Sequence, residues 1–520
     1  MWSPGRLPAL IRGFTAHALK LLAKHEMDVV FISFTEVGMS TTNQVARVLR
    51  FGSCKNAERT WAPFFAAPAW TEARGFSEAD GPIVASPAAT PPPARRSAQV
   101  ADGPGASTRS LPTGRTKGPP MTSERRALTF FESMFYLFRV GPVVASVTLK
   151  GRVDAAAMER AVRLLERDHP LLRCSFRQTD DAIALELADE GPGLAMVEPG
   201  SNGLADELNI SLAQNRPVYR ISLSQDAQST VLSFAGDHAG SDGRLNTLLL
   251  RRLLGYYTDL LRGVEPEPTG RSAFEGSLEE ALLASYEPGP VQPPADADPA
   301  LTLAGDAAAP GALAVRSFSF EPEATAALIA AARRGGVTLT NLLAGALACS
   351  VRAQFPDAGP MPVAPAFAVD LRPRVDPPIA PDAPFCCVAR LVCSTGVDAG
   401  DQPVEVGRRI GAQLKAGLDQ DEIQHRLVSQ RAAGKPAPLP PISFMVSNIG
   451  ILENYPVPDG LRVTDSRWAG TSRGPVPSLF GSTVDGRLTL DLVYDTGFHR
   501  AEVIDDVVKH FGAALMTRQN

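Results

Sequence analysis

From about residue 123 onward the chain switches repeatedly between two hydrophobic rhythms. Leu128, Phe131, Phe135 and Phe138 recur at helical spacing, which predicts a helix over 124–139, and Val143–Lys150 reads as a strand. Asp154 then stands as N-cap before Met158, Ala161, Val162 and Leu165, a helical stripe that ends at His169 because Pro170 disfavours the α region in the residue before it. Leu171–Phe176 predicts the next strand, and residues 218–235 a further pair, the second ending in the apolar run Ser229–Ala235. A long amphipathic helix follows from about Leu245 to Leu261.

The pattern resumes after residue 312. Ala314–Phe320 predicts a strand, Pro322 opens a helix to Arg334, and Thr338 or Thr340 caps another that runs from Asn341 to Arg352. Pro365–Arg372, Cys386–Ser394, Ile442–Gly450 and Arg487–Tyr494 predict strands; Val404–Ala416, Glu422–Ala432 and Arg500–Leu515 predict helices. The expected organisation is a first α-plus-β lobe over 121–286, a Pro/Ala/Asp-rich crossover over 287–312, and a second lobe over 313–520.

The first 120 residues do not share this rhythm. Residues 1–75 hold one helical stretch and one apolar run, too little to bury a core alone. Lys24–Glu36 is similar to a strand of phosphodiesterases of the alkaline phosphatase superfamily, but the metal ligands such an enzyme needs do not follow. Residues 76–120 carry nine prolines and a single aromatic, Phe76, so a disordered linker is expected there. Met121 is an alternative initiator.

Composition narrows the functional classes. A net charge of −5 gives no electrostatic reason to expect nucleic-acid binding. No apolar run is long enough to span a membrane. The six cysteines show no zinc spacing, and the adjacent Cys386 and Cys387 read as buried thiols of a reducing cytoplasm, the expected compartment. No metal site is expected.

One loop carries chemistry. Residues 234–243 place His238 just past the end of a strand, Asp242 four positions on, and Gly243 closing the turn before the long helix. An imidazole with an ordinary pKa near 6.5 is a workable proton acceptor at neutral pH. A buried histidine satisfied by hydrogen bonds is the alternative. Asp242 invites a catalytic dyad with His238, but it also stands where a helix N-cap would. Gly243 suits a backbone geometry or close approach that a Cβ would block.

His238-x-x-x-Asp242-Gly243 resembles the active-site motif of the condensation-type acyltransferases: nonribosomal peptide condensation domains, polyketide-associated acyltransferases, alcohol acetyltransferases and chloramphenicol acetyltransferase. The order strand, Gly151-x-x-Asp154, helix, His169-Pro170-Leu171-Leu172-Arg173, strand is similar to the opening of the same family. The resemblance implies an α/β (α+β) fold of two chloramphenicol-acetyltransferase-like lobes forming a V with a central tunnel. It implies that His238 is the catalytic base, while Asp242 is structural and pairs with an arginine of the other lobe, at the position of Arg372. Ser447–Gly450 resembles a Ser-Asn-x-Gly stretch of the ester-forming branches, which makes Asn448 the candidate for a tunnel or oxyanion role; turn formation is its alternative. The Asp-Phe-Gly-Trp-Gly motif of other branches is absent, and Asp237 stands where many condensation domains have a second histidine.

The expected reaction moves an acyl group from an acyl-CoA or acyl-carrier-protein thioester to an alcohol or amine, in lipid or polyketide metabolism, with no bound cofactor. The donor is its substrate partner, and a carrier protein is a candidate second partner. The rival readings are a stand-alone condensation domain forming an amide, and a non-catalytic module that binds an acyl chain or carrier.

Overall fold

The computed structural model describes residues 125–516 apart from 180–181, 212, 268–271, 273, 291–299, 306–308, 358, 437–439 and 472. The N-terminal fragment over 1–75, the linker over 76–120, Met121 and much of the 287–312 crossover lie outside the described residues.

The first half runs β1 (Arg125–Ala127), α1 (Phe130–Leu137), β2 (Val143–Lys150), α2 (Ala155–Asp168), β3 (Cys174–Gln178), β4 (Ile183–Leu187), β5 (Leu194–Met196), α3 (Leu204–Leu208), β6 (Tyr219–Gln225), β7 (Ser229–Gly236), α4 (Gly243–Leu261) and α5 (Leu278–Ser285). The second continues with β8 (Leu313–Phe320), α6 (Pro322–Arg334), α7 (Leu339–Arg352), β9 (Met361–Val363), β10 (Pro365–Asp370), β11 (Val388–Val392), β12 (Thr395–Val397), α8 (Pro403–Asp419) and α9 (Glu422–Ala433). It closes with β13 (Phe444–Leu452), β14 (Arg462–Gly470), β15 (Ser478–Val484), β16 (Arg487–Asp495) and α10 (Ala501–Met516).

Two larger sheets organise these elements. One has five strands in the order β14-β2-β7-β6-β5, and the other six in the order β11-β10-β13-β15-β16-β8. The five-stranded sheet buries Val144, Val147 and Leu149 with Met158 and Leu165 of α2 and Leu249 and Leu253 of α4. The six-stranded sheet buries Phe367, Phe444 and Leu490 with Leu343 and Leu347 of α7, Ile410 of α8 and Phe511 of α10. Each fully buried aliphatic or aromatic side chain contributes about 1.5–3 kcal/mol, so these two layers dominate the stability of the fold.

Four expectations need correction. The helix over 124–139 begins only at Phe130, because Thr129 and Glu132 form a capping box and the preceding residues pair as β1 with β4. Leu171 and Leu172 lie in a 3-10 turn after Pro170, and the strand starts at Cys174. Cys386 and Cys387 stand outside β11, which spans only Val388–Val392. Finally, β14, in the segment expected to build the second lobe, pairs antiparallel with β2 of the first sheet, with Trp468 opposite Ala145 and Gly470 opposite Val143. The fourth reflects the need of β2 for a partner on its outer edge, since an unpaired strand edge leaves backbone groups unsatisfied.

Candidate active site

The motif loop is held by both of its neighbours. β7 is a central strand, paired with β2 and β6, so the backbone at Gly236 is fixed on both sides. Downstream, Asp242 is the N-cap of α4: its Oδ1 accepts from the Leu245 amide at 3.0 Å. Between these anchors the amides of Gly240 and Ser241 both donate to the Asp237 carbonyl, closing a tight turn.

His238 sits at the crest of that turn, half-buried. Its Nδ1 lies 2.9 Å from the Ser241 carbonyl oxygen. A carbonyl only accepts, so the proton sits on Nδ1 and the lone pair on Nε2. The Phe135 ring stacks on the imidazole at 4.6 Å between centroids, with 25° between planes. Burial pulls the imidazole below its ordinary pKa, and the Ser241 contact and the carboxylates of Asp242 and Asp237 offset only part of that. The ring is therefore neutral at neutral pH and basic at Nε2.

Asp242 faces away from this ring. Its Oδ2 accepts from the Cys387 amide at 2.9 Å and lies 2.9 Å from Arg372 Nη2. Burial alone would raise its carboxyl, but the Arg372 charge and the two amides outweigh it and hold the carboxyl below the usual range. Arg372 also meets Asp370 Oδ1 at 3.2 Å, while Asp370 Oδ2 lies 3.2 Å from Arg244 Nε. Arg244 in turn donates to the Ile449 carbonyl at 2.8 Å. A chain of charges thus runs from the motif loop to β13.

Gly243 has ordinary φ, so its role is room: a Cβ there would stand 2.2 Å from Cζ3 of Trp468, on the strand that crosses from the second half of the chain. Asn448 is not gathered around His238. Its Nδ2 donates to Thr340 Oγ1 at 3.1 Å, and its Oδ1 accepts from the Gly450 amide at 3.0 Å, where Gly450 has φ +79° and β13 bulges against β15. With Arg244, Thr340 and Asp370 it borders a cavity of about 290 Å³ whose floor is Phe367, Val446 and other apolar residues.

Asp237 apart, several neighbours of the site were not singled out as such from sequence. Asp237 is bound by Arg216, whose Nε lies 2.6 Å from Oδ2, and the guanidinium lies 4.5 Å over Tyr136 and 5.2 Å over Phe176. Arg244, directly after the motif glycine, was the one such residue that position alone could have flagged. Phe135 reads as one apolar residue among several. Cys386, whose sulfur lies 3.6 Å from His238 Nδ1, reads as a core thiol.

The fold is the chloramphenicol-acetyltransferase-like one of the condensation-type acyltransferases, the class of protein this chain is similar to. Within that class, residues 309–493 match the family described as phthiocerol/phthiodiolone dimycocerosyl transferase C-terminus. The chain is similar to the phthiocerol/phthiodiolone dimycocerosyl transferase of Mycobacterium bovis, 23% identical over 370 residues that cover 65% of this chain and 84% of that one. The Mycobacterium leprae protein of the same name is 23% identical over 423 residues, covering 74% and 92%. Among solved structures, polyketide synthase associated protein 5 from Mycobacterium tuberculosis superposes with a TM-score of 0.61 at 20% identity, over 76% of this chain and 97% of that one. A trichothecene 15-O-acetyltransferase from Fusarium sporotrichioides gives 0.57 at 13% identity, over 76% and 95%.

Proposed function

We propose that this acyltransferase carries an acyl group from a thioester, on coenzyme A or a carrier protein, to an alcohol, with His238 as general base. The observation that carries the reading is the 2.9 Å contact between His238 Nδ1 and the Ser241 carbonyl, which leaves a neutral ring with its lone pair on Nε2. Nε2 takes the proton of the acceptor hydroxyl as its oxygen attacks the thioester carbonyl. The tetrahedral intermediate collapses, the C–S bond breaks, and the leaving thiolate takes the proton back from Nε2. Asp242 has no part in proton transfer, because its carboxylate is committed to Arg372 and two amides. Donor and acceptor would reach His238 from opposite ends of a tunnel between two lobes.

An alcohol acceptor is favoured over an amine by the kinds of transferase that resemble this chain, one of them named for transfer to oxygen. The test is thiol release from a panel of acyl-CoAs with alcohols. His238→Ala should lose about 10²–10⁴-fold in rate. Equal thiol release by the two proteins would overturn the assignment of the base.

A further inference from the structure

Cys386 lies just before β11 and is buried, with its sulfur 3.6 Å from Nδ1 of His238. We propose that Cys386 is a positioning residue for His238: its neutral sulfur closes the Nδ1 edge of the ring and supports the Nδ1–H tautomer without placing a charge there. This inference rests on the reading of His238 as the base.

The surroundings of the ring carry the argument. Phe135 covers one face and the Ser241 carbonyl takes the Nδ1 proton. Sulfur is a weak, polarisable acceptor, so it shares that proton without competing for it. The two carboxylates nearest the ring are tied elsewhere. Asp242 is held by Arg372 and the amides of Leu245 and Cys387, and Asp237 by Arg216 and the Ala239 amide. The thiol therefore occupies the place beside Nδ1 where a histidine base often has a carboxylate. A carboxylate there would hold the imidazolium and oppose return of its proton to the leaving thiolate; a neutral sulfur does not. Burial pushes the Cys386 thiol well up, with the charge of Asp242 adding to it, so the group stays uncharged and is no nucleophile at neutral pH.

The test uses the full chain labelled with ¹⁵N-histidine, with His238→Ala to assign the resonances. Wild type should show a protonated Nδ1 and a titration midpoint below 6.5. In Cys386→Asp the midpoint should rise by roughly 1–3 units, the usual effect of an opposite charge at that range. Cys386→Val fills the site without a heteroatom and should lower the midpoint, with kcat falling and KM little changed. The proposal is overturned if wild-type Nδ1 is unprotonated, or if Cys386→Val folds and leaves both midpoint and kcat at wild-type values. Should Cys386→Asp fail to fold, the valine variant alone decides. If wild type transfers no acyl group, the base assignment fails by itself, while the midpoints still report whether the sulfur tunes the ring.

Discussion

Arg372 Nη2 and Asp242 Oδ2 meet at 2.9 Å, with both side chains nearly excluded from water. One residue caps α4 beneath the motif loop; the other follows β10 in the six-stranded sheet. Two desolvated charges are tolerated only as a pair, so the contact fastens the loop to the second sheet more than it adds net stability. Arg372→Ala strands the carboxylate and should cost about 3–5 kcal/mol. Removing both charges, as Asp242→Asn with Arg372→Met, should cost less than the sum of the single changes. Urea unfolding of the four proteins checks this; strict additivity would mean the charges do not act as a pair.

The same pair sets an acid dependence. Asp242 has its carboxyl below the usual range in the folded chain. Its contribution to stability is therefore complete above the unfolded carboxyl pKa and is lost as pH falls through the lower folded value. His238 is also lowered, but as a base. The unfolded chain takes up that proton first, so its contribution is complete above about 6.5 and is lost as pH falls toward the folded pKa. For the reaction, the acid limb of kcat/KM should lie below 6.5. Initial rates of thiol release between pH 4 and 8 would locate it, and a limb above 6.5 would contradict a desolvated, weakly basic ring.

Much of this fold was legible because both halves bury strands and helices of clear period. Val143–Lys150 and the capped helices after Asp154 and Thr338 stand where the pattern put them. β14 was not legible: Arg462, Asp465 and Arg467 interrupt any simple alternation, and its partner β2 is remote in the chain. The same limit governs the site. His238, Asp242 and Gly243 form a local motif, whereas the contacts of Arg216, Cys386 and Trp468 with that loop exist only after the sheets have packed. No periodicity encodes a sulfur 3.6 Å from an imidazole.

Trp468 shows what such a long-range contact does. Its indole covers Gly243 so closely that a Cβ would meet the ring, while its Nε1 donates to the Gly481 carbonyl at 2.8 Å. The indole is thereby pinned on β15 and cannot give way cheaply. Gly243→Ala should cost about 1–3 kcal/mol through overpacking, although alanine is otherwise the better helix former. Adding Trp468→Leu should recover part of that loss, since the clash would then be gone. Thermal melts of the single and double variants decide it. A Gly243→Ala chain as stable as wild type would show that the indole moves freely.

Asp237 and Arg216 supply the last prediction. Where many condensation domains have a second histidine, this chain has a carboxylate whose Oδ2 accepts from Arg216 Nε at 2.6 Å and lies 2.6 Å from Nη2 of the same guanidinium. Oδ1 accepts from the Ala239 amide at 2.9 Å, so the pair shapes the peptides on either side of His238. The guanidinium also lies over Tyr136 and Phe176, a fit that depends on its flat, delocalised charge. Arg216→Lys keeps the charge but loses the fork and the stacking. It should therefore behave more like Arg216→Ala than like wild type, with kcat reduced in both while KM changes little. Asp237→Asn keeps an oxygen for the Ala239 amide but leaves Arg216 buried without its counter-charge, at a cost of about 3–5 kcal/mol. Denaturation midpoints and steady-state rates of these three variants would test the set. Full activity in Arg216→Lys would show that only the positive charge matters at this position.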